Sequence, residues 1–321
     1  MQPIRHAIAA VLVLASLGSA HAQNYPNRAV RFIIPQSAGS ATDTVARLIG
    51  TRLAERFGQP VVHENRTGAG GVIGAELLVK SAPDGYTILI ISATHTVNPS
   101  LRKSLPYDSV NDFAPVTMAT AQPYVMLAHP SLPARGVKEL VALARARPGQ
   151  INFASSGAGT LGHLGFEQLK TIARINMVHV PYKSIGAAMT DIVGGHITLL
   201  YSTVVSGLPQ VNAGRLRALA VSSPKRAQVA PNVPTVAESG FPGYEVTGWY
   251  GVVAPARTPP EIINRLNSEI AAILRLPAVA ERLAGDGSEA VGNTPEQFGA
   301  HIRAEIAKWG QVVKAAGITA D

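Results

Sequence analysis

Ile151-Asn152-Phe153-Ala154-Ser155-Ser156-Gly157-Ala158-Gly159-Thr160-Leu161-Gly162-His163-Leu164 reads as a short apolar strand, a turn of small residues and the start of a helix. The strand covers Ile151–Ala154, and the apolar spacing beyond the turn predicts an amphipathic helix from about Leu161 to Arg174. Serine, glycine and threonine leave the backbone amides of the turn uncovered. Free N–H groups and the positive end of a helix dipole together make an anion site. The same build occurs earlier in the chain. Strand Ala29–Ile34 leads into Pro35-Gln36-Ser37-Ala38-Gly39-Ser40-Ala41-Thr42-Asp43, and a helix follows to Phe57. Two such cradles on separate strand–helix units read as one anion gripped from both sides.

Strands and helices alternate through the rest of the chain. Tyr86–Ser92 is a near-continuous apolar run, as in a buried parallel sheet, and Thr94-His95-Thr96-Val97-Asn98-Pro99 after it reads as a polar loop. A second unit begins near Tyr124–Ala128 and contains the opening stretch. Strand Asn176–Val180 follows, then Pro181-Tyr182-Lys183-Ser184 and a helix over Ile185–Val193. Strand Ile197–Tyr201 ends in Ser202-Thr203. This is an α/β chain, and its β-α-β order predicts mostly parallel sheets flanked by helices. The runs 118–128 and 244–254 are suited to carry the chain from one domain to another and back. That predicts lobe 1 from residues 23–123 plus 250–321, and lobe 2 from residues 124–249. Ligands in open α/β sheets bind beyond the carboxyl ends of the strands. Both cradles and the strand ends at Thr94-His95, Tyr182-Lys183 and Tyr201-Ser202 are therefore expected to line one cleft.

The first 22 residues read as an export signal. Arg5 and His6 precede the apolar run Ala7–Leu17, and Ala20-His21-Ala22 is a small-residue cleavage site before Gln23. The apolar run is too short to span a bilayer, which takes about 20 residues. A soluble protein in the periplasm, and a monomer, is the expectation. The sequence has no cysteine, which removes both disulfides and a lipid-bearing cysteine at the cleavage site. Apolar residues make up 46% and charged residues 15%, a composition for a packed globular chain. The formal charge is +8, yet the basic residues are scattered and no dense basic run occurs. Nucleic acid is thus not an expected partner, and a small organic anion is.

Other motifs weigh less. Gly157-Ala158-Gly159-Thr160-Leu161-Gly162 matches the dinucleotide pattern G-x-G-x-x-G, but the acid needed about 20 residues on is replaced by His179-Val180-Pro181. The nine histidines form no H-x-x-x-H pair, and there is no G-x-S-x-G elbow. No metal and no cofactor is expected. His163 fits a role in satisfying local backbone as well as one in touching ligand. Asp43 fits a helix cap as well as a part in shaping the cleft. Tyr182 and Lys183 read either as a surface pair or as carboxylate partners.

The chain resembles the substrate-binding proteins of tripartite tricarboxylate transporters, the Bug (Bordetella uptake gene) family. The resemblance rests on Glu64-Asn65-Arg66-Thr67-Gly68-Ala69-Gly70-Gly71 with Ile73-Gly74-Ala75-Glu76, and on Ala82-Pro83-Asp84-Gly85-Tyr86-Thr87. It continues through Ser156–Leu164, Val180-Pro181-Tyr182-Lys183, Gly194-Gly195, and Trp249-Tyr250-Gly251 with Ala254-Pro255. It implies a two-lobed periplasmic binding protein of the Venus-flytrap type that holds a carboxylate through main-chain donors and ordered waters. Carried onto this sequence, the binding loops fall on Gln36–Asp43 and Ser155–His163. Departures from the family pattern put polar groups into the first loop: Gln36 stands for an aromatic, Ala38 for a proline and Ser40 for a glycine. Thr67 replaces a proline, and Thr198 replaces a common acid.

The expected ligand-binding residues are Gln36, Ser37, Ala38, Gly39, Ser40, Thr42 and Asp43 from the first cradle. Ser155, Ser156, Gly157, Gly159, Thr160 and His163 are expected from the second, with Thr94, His95, Tyr182, Lys183, Tyr201 and Ser202 beside them. The reading is a receptor without catalysis that delivers a small carboxylate to membrane transporter subunits. An enzyme working on a carboxylated substrate through His95 or Lys183 is the alternative, as is a receptor that reports its ligand to a signalling partner.

Overall fold

The computed structural model describes residues 25–319; the expected export signal and its cleavage site before Gln23 lie outside the described residues. Short apolar runs become the buried inner strands, and the outermost strand of each parallel trio is more exposed. β1 (Val30–Ile34) lies between β2 (Val61–Asn65) and β3 (Thr87–Ser92), all parallel. A second parallel trio sets β5 (Asn152–Ser155) between β6 (Val178–Pro181) and β7 (Leu199–Thr203).

One long strand joins the two sheets. Residues 113–123 of β4 (Phe113–Ala128) run antiparallel to β9 (Thr247–Pro255), which itself runs antiparallel to β3. Residues 124–128 of the same strand pair antiparallel with β7 and with β8 (Arg217–Val221). The change of partner falls between Pro123, paired with Thr247, and Tyr124, paired with Thr203. Each sheet is therefore an expected parallel trio extended by antiparallel pairing with β9 or β4. The strands that carry the chain out and back must run in opposite directions side by side, so one of them meets the parallel trio head to tail. Strand pairing returns the chain to the first sheet at Thr247.

The helices follow the apolar periodicity. α1 (Ala41–Phe57) and α2 (Val72–Val79) cover the first sheet. α3 (Thr94–Leu101) corrects the polar loop expected there: His95, Thr96 and Asn98 are buried, so its polar face turns inward. α4 (Val137–Ala146), α5 (Leu161–Ala173), α6 (Ile185–Val193) and α7 (Val204–Asn212) flank the second sheet. α8 (Pro260–Leu274) and α9 (Pro277–Gly285) return to the first.

The last helix, α10 (Pro295–Ala316), belongs to both lobes. Thr294 and Gln297 close its start with a capping box, and Gly317 ends it in the left-handed conformation. Phe298 and Ile302 pack with Ile33, Leu89 and Trp249 of the first lobe. Trp309, Val312 and Val313 pack with Leu140, Phe166 and Leu169 of the second. Each large apolar side chain so buried stabilises by about 1.5–3 kcal/mol, so one helix ties two cores together.

Candidate functional site

The carboxyl ends of β1, β3 and β5 converge on a cleft of about 220 Å³ floored by the crossing strands β4 and β9. Gln36 from the first cradle faces Ser156, Thr160 and Leu161 from the second. Ser92, Ala93 and Thr94 enter from the end of β3. The floor supplies Gln122, Tyr124, Gly248, Trp249 and Tyr250. None of these residues carries a formal charge, while most offer an N–H or O–H. A wall of neutral donors around a small volume suits an anion whose charge is met by hydrogen bonds instead of a counter-ion.

The two cradles differ in how much they leave open. In the first, Ser40 caps α1 by accepting the Asp43 N–H at 3.2 Å, and the Gly39 N–H goes to Asp43 Oδ2 at 2.9 Å. Asp43 also accepts from Arg47 Nε at 3.0 and 2.9 Å and from Asn65 Nδ2 at 2.9 Å. Burial alone would raise its pKa, but these hydrogen bonds outweigh it and hold the carboxyl at about 2. Asp43 is thus an inward strut of the loop, its charge cancelled by Arg47. Thr42 is buried too, and its hydroxyl donates to Gln36 Oε1 at 3.1 Å, leaving the Gln36 amide N–H₂ as the free end. Ser37 and Ala38 are exposed on the loop beside it.

In the second cradle, α5 begins without a side-chain cap. The Thr160 hydroxyl, placed to cap it, instead donates to Gly157 O at 2.8 Å. The Gly157 N–H goes to Ser155 Oγ at 3.1 Å and the Gly159 N–H to His163 Nδ1 at 3.1 Å. Those two amides are spent internally, which leaves the first turn of α5 as the donor end toward the cleft. Ser155 and His163 lie buried behind the loop, not against the cavity.

Several expected residues face elsewhere. His95 Nε2–H donates to Ser109 O at 3.0 Å, and its ring stacks on Tyr107 and meets Phe113 edge-on. Burial lowers its pKa to about 4, so it is a neutral core side chain. The Tyr182 hydroxyl donates to Asp191 Oδ2 at 2.6 Å on α6, which raises its pKa to about 12, and exposed Lys183 is not among the cleft-lining residues. Tyr201 is sealed in the core with its hydroxyl 2.6 Å from that of Tyr244, and Ser202 is buried in β7. None of these five side chains lines this cleft: His95, Tyr182 and Tyr201 are hydrogen-bonded within a lobe, Ser202 is buried and Lys183 is exposed.

The residues not anticipated are those of the floor. Tyr124 on β4 and Tyr250 on β9 both line the cleft, and burial pushes the pKa of both upward, so their hydroxyls stay protonated donors. A Cβ at Gly248 would come 3.1 Å from the Tyr124 ring, so glycine there gives the ring its place. Among the described residues no three His, Asp or Glu side chains gather as a metal site would require.

Residues 45–318 match the family described as "Tripartite tricarboxylate transporter family receptor". The chain is 40% identical over 300 residues to protein BugT of Bordetella pertussis, covering 92% of this chain and 91% of that one. Among solved structures, Rhodopseudomonas palustris Rpa4515 with adipate is 36% identical with a TM-score of 0.75, over 92% of this chain and 99% of that one. MatC from the same organism, with bound malate, is 31% identical with a TM-score of 0.72, over 90% and 100%.

Proposed function

The chain belongs to the tripartite tricarboxylate transporter receptor family, and on that premise we propose that it captures a small organic carboxylate between its lobes. The observation that carries this is the cleft itself: an uncharged, donor-rich cavity that meets the uncapped N-terminus of α5. One carboxylate sits at the first turn of α5, with Ser156 and Thr160 beside it. Gln36, Gln122 and the hydroxyls of Tyr124 and Tyr250 reach the far end of the ligand. That division suits an acid with a second polar group, as adipate and malate have in the two relatives.

The reading is of a receptor, not an enzyme. Among the described residues, the serine–histidine contact near the cleft, Ser155 Oγ to His179 Nε2 at 2.7 Å, has its serine fully buried and unable to reach a substrate. Among the described residues no helix is long and apolar enough to cross a membrane, in keeping with a mature protein released into the periplasm. Membrane transporter subunits would receive the loaded, closed form of a monomer.

The test starts from the full chain expressed with its own N-terminus. The product is expected in the periplasmic extract with Gln23 as first residue. A panel of mono- and dicarboxylates, adipate and malate included, is then screened by thermal unfolding. A ligand at a hundred times its Kd stabilises by about 2.7 kcal/mol, a clear rise in Tm. At least one acid should raise Tm, shrink the radius of gyration in solution scattering and be recovered unchanged. A panel with no stabilising acid, or an acid consumed on incubation, overturns the reading.

A further inference from the structure

Behind the second cradle lies a set of polar side chains closed off from the cleft. His163 on the first turn of α5 and His179 on β6 stack with ring centroids 3.7 Å apart and planes 10° apart. Both rings also lie against Phe153. His163 Nδ1 accepts the Gly159 N–H, so its own proton sits on Nε2, 3.6 Å from Glu167 Oε1. Glu167 is paired in turn with Lys170 at 2.7 Å. His179 Nε2 holds Ser155 Oγ, the atom that accepts the Gly157 N–H. Gly157 and Gly159 lie at φ +125° and +73°, in a turn whose two glycines would otherwise sample many backbone states. The two histidines thus grip both glycine amides from the side opposite the cleft.

We infer that His163 is a positioning residue for ligand binding: it draws the Gly159 amide inward, as His179 does the Gly157 amide through Ser155, and so aims the first turn of α5 at the cleft. This rests on the reading of that turn as the carboxylate anchor. The histidine acts through the backbone and touches no ligand. It needs the neutral ring, because a proton on Nδ1 would set two N–H groups face to face. Burial lowers the His179 pKa to about 4, so the ring stacked on His163 is neutral.

A packing role and a positioning role separate by substitution. His163→Leu keeps the bulk against Phe153 and removes the acceptor. His163→Asn places an amide oxygen close to where Nδ1 stands and retains it. The first readout is ligand-free: hydrogen exchange of the Gly159 amide, followed by NMR. The second is titration calorimetry with adipate and with malate. His163→Leu should speed exchange about tenfold and weaken binding about tenfold, the weight of one hydrogen bond, while His163→Asn restores both to within about twofold. Unchanged exchange in the leucine variant overturns the inference, as does an asparagine variant that behaves like the leucine one. If the wild-type protein binds neither acid, the exchange rates still decide the positioning.

Discussion

A methyl group at residue 159 tests whether the lobes meet at the second cradle. Gly159 belongs to the turn after β5, and a Cβ built on it would overlap Leu101 Cδ1, at the end of α3 in the other lobe. Gly159→Ala carries two costs. The left-handed backbone at φ +73° costs a non-glycine residue about 1–2 kcal/mol whether or not the lobes touch. Crowding against Leu101 adds about 1–3 kcal/mol, and the lower end fits a terminal methyl that can swing aside. Gly157→Ala is the control, since its φ is +125° but nothing lies within 4 Å of the built Cβ. It should show only the backbone cost, about 1–3 kcal/mol. Leu101→Ala removes the obstacle, so a double-mutant cycle isolates the contact. Urea unfolding of the four proteins should give a coupling of about 1–2 kcal/mol between Gly159→Ala and Leu101→Ala, and the single Gly159→Ala should also enlarge the radius of gyration. Additivity to within about 0.5 kcal/mol would refute the reasoning, because it would mean that the lobes do not touch there in solution.

Two further predictions concern stability. Because the Asp43 carboxyl is held at about 2 against an ordinary 3.8, its contribution of about 2 kcal/mol is complete above about pH 4 and lost as pH falls toward 2. Asp43→Asn should therefore lie below the wild type at neutral pH and converge on it in acid, and parallel stability profiles would count against the strut. On β9, a Cβ at Gly251 would overlap the rim of the Phe298 ring, so Gly251→Ala should destabilise by about 1–3 kcal/mol in urea unfolding. Phe298→Leu in the same protein should recover part of that loss, and no recovery would point to a backbone cause instead.

The strand–turn–helix units were legible because each is a local pattern: an apolar run, small residues, then helical spacing. What local pattern does not encode is direction. The trios β2-β1-β3 and β6-β5-β7 are parallel as β-α-β order requires, yet β4 and β9 run against them, since joining two lobes takes one strand out and one back. α3 was illegible for another reason. Thr94, His95 and Asn98 look like a solvated loop until Ser109, Tyr107 and Phe113 supply the partners that let His95 be buried.

At the site, the sequence marks where the backbone is bare but not which way it points. Gly157 and Gly159 announce an exposed turn, yet their amides face inward, because Ser155 and His163 offer acceptors on that side. The two cradles look equivalent as strings of small residues. Only the side-chain bonds distinguish them: Ser40 caps its helix, while Thr160 turns its hydroxyl back to Gly157 and leaves α5 open. The floor residues do carry a signal in the sequence. The runs 118–128 and 244–254 are the crossings between lobes, and strands that join two lobes must also pass beneath the cleft between them. Any polar tip on those strands, Gln122, Tyr124 and Tyr250 among them, is then a candidate contact. The same argument explains why the cleft needs no lysine or arginine. A cation buried in that floor would carry a desolvation cost that neutral hydroxyls and amides avoid.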